Sequence, residues 1–132
     1  MDANAKLDSP LHKMSANGKL LQGLVTRQNL TILNNLDCCK GHTTRHRTTK
    51  THVEKAAIDY IITCDKLADY VDNVLVDEDR LFTLTKYAST RGKIDKITSD
   101  HNTLFANFDL SFSYQVNHSP RKQIFNFRSR EA

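Results

Sequence analysis

The sequence has no tryptophan, four glycines, two prolines and three cysteines among its 132 residues. So little glycine and proline excludes collagen-like and low-complexity chains. Three cysteines, an odd number, exclude a framework of fully paired disulfides and lead us to expect reduced thiols in an intracellular setting, nuclear or cytoplasmic. No apolar run approaches the roughly 20 residues that cross a bilayer, and the first residues contain no apolar signal core. No membrane partner is therefore expected. The mean hydropathy of −0.54 is polar, but the apolar residues fall in short clusters, which argues against global disorder. What remains is one modest soluble domain, or a piece of a larger one.

The charge is unevenly placed. Residues 40–55 hold Lys40, Arg45, Arg47, Lys50 and Lys55 against Glu54, a net +4. Residues 64–79 hold Asp65, Asp69, Asp72, Asp77, Glu78 and Asp79 against Lys66, a net −5. The last segment, 119–132, is again basic, with Arg121, Lys122, Arg128 and Arg130 against Glu131. A basic block rich in threonine offers charge and hydroxyl donors to a phosphate backbone, which makes Arg45, Arg47 and Lys50 candidate nucleic-acid contacts. The plainer reading of the same block is a solvated loop.

Residues 1–17 read as loop. Leu20, Leu21, Leu24 and Val25 mark one face of a helix over 19–28, where they read as ordinary core, and Asn29 ends it. Strands are expected at 30–33, 57–63, 70–76 and 103–109, with 57–63 (AIDYIIT) the strongest by β-branched and aromatic content. The polar 43–51 stretch suits an edge strand or hairpin arm, 64–68 a helical turn, and 77–99 a polar loop with at most a short strand near 82–85. One helix followed by mainly antiparallel strands predicts an α+β sandwich. So few elements leave a sheet face without cover, which points to self-association.

Four sets of residues bear on chemistry. Asp2 and Asn4 alternate, so on an extended segment both point to one side. Asp59 lies within an apolar run, where a carboxylate needs a partner. His101 follows Asp100 just before the final strand, and an Asp–His pair allows the carboxylate to hold one ring nitrogen while the other faces a reaction. Asp2 and Asp100 add the oxygen donors that Mg²⁺ prefers. Cys38, Cys39, His42 and His46 invite a zinc reading, but adjacent cysteines fit tetrahedral ligand spacing poorly. Cys64 reads as a packed thiol, the 77–79 acidic run as a solvated turn, and Phe105, Phe108, Phe112, Phe125 and Phe127 as core and linker packing.

Met1-Asp2-Ala3-Asn4 resembles the G-D-x-N motif of the endonuclease/exonuclease/phosphatase superfamily, Ile58-Asp59-Tyr60-Ile61 its I-D-Y strand, and Ser99-Asp100-His101-Asn102 its S-D-H motif. The segments Asn17-Gly18-Lys19-Leu20-Leu21 and Leu30-Thr31-Ile32-Leu33-Asn34 are most similar to the apurinic-like endonuclease domain of non-LTR (LINE-type) retrotransposons. Residues 119–127 resemble the linker toward a reverse transcriptase.

The resemblance implies half of a four-layer αββα sandwich over residues 1–112, a linker over 113–132, and a Mg²⁺-dependent site that Mn²⁺ can also serve. It implies that Asp2 polarises the attacking water, Asn4 holds a phosphate oxygen, His101 contacts the scissile phosphate with its ring oriented by Asp59, and Asp100 helps hold the metal. The substrate implied is DNA, nicked to leave a free 3′ hydroxyl. Met1 stands where the family has Gly, and none of Glu54, Glu78 and Glu131 matches the family's metal-binding Glu. The expectation is therefore the C-terminal half of the domain, inactive by itself. Arg45 or His46 stands where the family often has a Trp after Thr. A non-catalytic nucleic-acid-binding remnant and a phosphatase branch of the superfamily are the alternatives.

Overall fold

The computed structural model describes residues 1–83 and 85–111. The linker expected at 113–132, with Phe112, Phe125 and Phe127, lies outside them. The fold is mixed α/β, with mostly antiparallel strands in small sheets and few helices. Among the described residues no helix is long and apolar enough to cross a membrane.

Helix α1 (Ala16–Arg27) begins at Ser15, whose side chain accepts from the amide of Gly18 at 3.1 Å and from that of Lys6 at 3.0 Å. A Cβ at Gly18 would sit 2.0 Å from the Lys6 carbonyl oxygen, so glycine lets the helix lie against the incoming chain. Asn29, with φ 51°, ends the helix in the left-handed conformation. Its apolar face is narrower than the sequence predicts. Leu21 is buried and Val25 packs against the core, whereas Leu20 is 72% exposed and Leu24 is also exposed.

Strand β1 (Leu30–Ile32) passes into a 3₁₀ turn at Leu33–Asn35, followed by β2 (Cys39–Lys40), β3 (Arg45–Thr48), β4 (Val53–Ala56), β5 (Ile62–Cys64), α2 (Asp65–Ala68) and β6 (Val71–Val76). β3 and β4 form an antiparallel hairpin, β1 pairs antiparallel with β5, and β6 lies between β2, to which it is parallel, and the antiparallel β9 (Leu104–Phe108). The 77–99 region, expected as loop, is instead largely a hairpin of β7 (Thr85–Thr90) and β8 (Lys93–Thr98). Its apolar residues are dispersed among charged ones and stay exposed, so no burial pattern announces it.

The run expected as the strongest strand, 57–63, is extended, but only Ile62 and Thr63 belong to a regular ladder. From Val53 to Cys64 the chain changes neighbours along its length. It meets β3 first, then Met1–Ala3, and finally β1. Between β4 and β5 its backbone groups are satisfied mostly by side chains. Ala57 N donates to His12 Nε2, Ile58 N and Asp59 N both donate to Thr44 Oγ1, and Asn34 brackets the rest with its Nδ2 on Asp59 O and its Oδ1 on Ile61 N. Ala5, Leu7, Leu21, Ile32 and Tyr60 form the core beneath this run. Burial pushes the Tyr60 phenol up from its ordinary value, and nearby Asp59 adds to the shift against the opposing Leu7 amide.

Candidate functional site

Three segments meet around Asp59. The amide of Ala3 donates to Ile58 O at 3.0 Å and that of Tyr60 to Met1 O at 2.9 Å, which pairs Asp2 with Asp59. On the other side His46 N donates to Asp100 O at 2.7 Å and Asn102 N to Thr44 O at 2.6 Å, which pairs Arg45 with His101. The backbone thus delivers Asp2, Arg45, Asp59, Asp100 and His101 to one place from four parts of the sequence.

His101 Nδ1 lies 2.8 Å from Asp59 Oδ2, and Asp59 is buried. An ionised carboxylate only accepts, so in this contact Nδ1 carries the proton. Nε2 faces outward, 4.0 Å from Asp2 Oδ2 and 3.7 Å from Asp100 Oδ1. Asp100 Oδ2 accepts from Arg45 Nε at 3.1 Å. Burial works to raise the Asp100 carboxyl, but the Arg45 hydrogen bond and charge, with His101 beside it, hold it below its ordinary value. Arg45 is raised in turn, chiefly by its hydrogen bond to Asp100.

Among the described residues, the one grouping whose ligand atoms all lie within 4.8 Å of one another is Asp2, Asp59 and His101. The two carboxylates of this grouping are donors of the kind a hard divalent cation takes, Mg²⁺ being commonly held through one or two carboxylates with its own water; the His101 nitrogen is not one. Asp2 is the more accessible donor. Asp100, expected from the sequence as a metal ligand, spends one oxygen on Arg45. Cys38, Cys39, His42 and His46 form no such grouping, and Cys39 Sγ donates instead to Gly41 O at 3.6 Å.

Asn4 lies differently from the extended picture. Its φ is 42°, and its backbone amide donates to Asp2 Oδ1 at 3.0 Å, so Asp2 and Asn4 share a tight turn rather than one side of a strand. Arg47 and Lys50 are exposed, Arg47 on the same face of β3 as Arg45 and Lys50 in the turn of the hairpin. Asp77, expected in a solvated turn, is buried and accepts from Leu81 N at 3.1 Å and Phe82 N at 2.8 Å.

The sequence reading did not single out the residues that hold Asp59 in place. Thr44 is fully buried, with its hydroxyl 3.1 Å from the Asp59 amide, and Asn34 grips the Asp59 carbonyl at 3.1 Å. Asn102 Nδ2 holds Thr43 O at 2.7 Å. All three lie inside segments already noted, but a polar side chain that binds backbone leaves no periodic trace.

No protein-family model, curated protein or solved structure matches the chain.

Proposed function

We propose that this chain carries the carboxylate–histidine site of a Mg²⁺-dependent phosphodiesterase that acts on DNA. On this reading its small sheets are half of a four-layer αββα sandwich of the endonuclease/exonuclease/phosphatase type, of the kind found in LINE-type retrotransposons. The observation that carries the proposal is the Asp59–His101 contact at 2.8 Å, with Nε2 turned toward Asp2 and Asp100. The sequence motifs support the choice of DNA over other phosphodiesters.

Hydrolysis of a phosphodiester needs an activated water, a donor on the phosphate oxygens and neutralisation of developing charge. Asp2, exposed and close to His101, takes the proton of the attacking water as its oxygen bonds to phosphorus; the P–O3′ bond breaks and the departing 3′ oxygen takes a proton from solvent. His101 faces a non-bridging phosphate oxygen with Nε2 while Asp59 fixes the ring through Nδ1. Asp2 and Asp59 would hold Mg²⁺, which would supply charge neutralisation on the phosphate. Arg45 holds Asp100 beside the ring, and Arg47 and Lys50 on the neighbouring hairpin meet the backbone of the duplex. Exposed apolar residues on β6 and β9 support self-association as a second property.

The resemblance implies inactivity through the absence of the Glu, an early Asn and about half of the two-sheet core. In favour of residual activity stands the Asp59–His101 contact, and a cation held through two carboxylates and its own water does not require a third. The chain is therefore expected to nick supercoiled plasmid slowly with Mg²⁺ and not at all with EDTA. His101→Ala and Asp2→Ala should each lower the rate about 10²–10⁴-fold, the usual range for a positioned acid or base. DNA binding without nicking, or nicking that survives both substitutions, would leave the non-catalytic reading in its place. Release of phosphate from a monoester faster than nicking of plasmid would favour the phosphatase branch.

A further inference from the structure

The β7–β8 hairpin takes no part in the site above, yet it leads straight into it. Its two strands pair only with each other among the described residues, and Thr90-Arg91-Gly92-Lys93 closes them. Arg91 and Gly92 have φ of 52° and 74°, both in the left-handed region, as a two-residue type I′ turn demands. Such a ribbon is marginal alone, and here it stands in solvent on both faces. Tyr87 is 71% exposed and Ile94 76%. Lys86, Arg91, Lys93 and Lys96 are all exposed, against Asp95 as the hairpin's one acidic residue in the sequence. The register sets Lys86 and Lys93 on one face and Tyr87 and Lys96 on the other, with Arg91 at the tip.

We propose that β7–β8 is a basic ribbon that grips the phosphate backbone of duplex DNA beside the Asp59–His101 group. The proposal rests on DNA as the substrate of that group and adds the surface that holds it. β8 ends at Thr98, three residues before His101, so the ribbon's base lies within about 10 Å of the histidine. Six residues per strand give an arm about 20 Å long, the length of about six base-pair steps. A two-stranded ribbon is of a size that the major groove admits. The arm is also joined to the histidine loop. Arg80 donates to the Ser99 carbonyl, and the Ser99 hydroxyl accepts from His101 N at 3.1 Å. Cations on unpaired edges otherwise serve to keep sheets from pairing with one another. That rival reading predicts no effect on DNA binding.

The test is equilibrium binding of the full chain to a 30-base-pair duplex between 50 and 200 mM salt, without divalent cation. The arm variant is Lys86→Gln, Arg91→Asn, Lys93→Gln and Lys96→Gln together; Asn-Gly keeps the type I′ turn. A control variant removes four exposed cations elsewhere, Lys13→Gln, Lys19→Gln, Arg27→Gln and Lys66→Gln. Circular dichroism checks that both fold. Each lost phosphate contact lowers the slope of log K against log salt by about 0.9, so the arm variant should lose about 2–4 units of slope, with the control close to wild type. An unchanged slope in the arm variant overturns the proposal, as does an equal loss in both variants, which would reflect net charge alone. Mg²⁺-dependent cleavage of bis(p-nitrophenyl) phosphate, too small to reach the arm, separates this outcome from the chemistry. Its absence in wild type removes the phosphodiesterase reading, and its retention in the arm variant with a reduced slope supports both.

Discussion

Thr44 shows how one hydroxyl can hold a buried carboxylate in place without touching it. Its Oγ1 accepts from two consecutive amides, Ile58 at 2.9 Å and Asp59 at 3.1 Å, with no exposed surface of its own. Two adjacent amides cannot both turn toward one neighbour in a regular strand, so this clamp sets the local twist that aims Asp59 at His101. A valine of the same shape leaves both donors buried and unpaired, and each such loss costs roughly 1–3 kcal/mol. Thr44→Val should therefore lower unfolding stability by about 2–4 kcal/mol in urea titrations, while Thr44→Ser stays within about 1 kcal/mol of wild type. If both variants unfold at the wild-type midpoint, the clamp is not what positions Asp59.

At the scale of elements, Glu78 fastens the end of β6 to the loop before β3. Its Oε1 accepts from His42 N at 3.0 Å and Thr43 N at 2.8 Å. Burial acts to raise this carboxyl, but the Thr43 and His42 amides outweigh it and hold it below its ordinary value. A carboxyl lowered in the folded state binds fewer protons there than when unfolded. Its stabilisation is complete above about pH 4.5 and fades as pH falls through the folded value. Thermal melts from pH 6 to 3 should show a shallower acid limb in Glu78→Gln than in wild type, and identical limbs would contradict this role. The sequence revealed this fastening only as an acidic run, because nothing in 77–79 tells which carboxyl will meet a distant amide. Helix α1 was legible through its apolar spacing and Asn29, and β6 and β9 through their β-branched and aromatic residues. The β7–β8 hairpin was not, since Tyr87, Ile94 and Ile97 bury nothing. The Asp59 run misled in a different way. Its composition is that of a strand, but its hydrogen bonds go to Thr44, Asn34 and His12, whose part no periodicity reveals. Asp2, Asp59 and His101 could be named from their motifs, whereas their convergence depends on those side-chain clamps.

For the molecule as a whole, the sheet formed by β2, β6 and β9 has one good face and one bare one. Val74 and Val76 are almost fully buried, while Leu75 and its cross-strand partner Phe105 point the other way and stay exposed. Phe82 extends the bare face, meeting Phe105 edge to face with ring centroids 5.1 Å apart, and is itself 60% exposed. On the proposed self-association, these three apolar side chains make the bare face the seat for another surface. The groove at α1, lined by Asn17 and otherwise by apolar residues that include Met1, Leu20, Leu21 and Leu24, is a second mainly apolar area, but Leu20 and Leu24 lie on a helix and offer no edge to extend a sheet. The sheet face is thus the better seat for a second copy. Leu75→Thr with Phe105→Thr should shift sedimentation from a concentration-dependent dimer toward monomer, with both substitutions suited to a solvent-facing strand position. Leu20→Gln with Leu24→Gln should leave the dimer intact. A dimer that survives the sheet substitutions and dissociates with the helix ones would move the contact to the α1 groove. A wild-type chain monomeric at every concentration would show that the bare face is tolerated without a second copy.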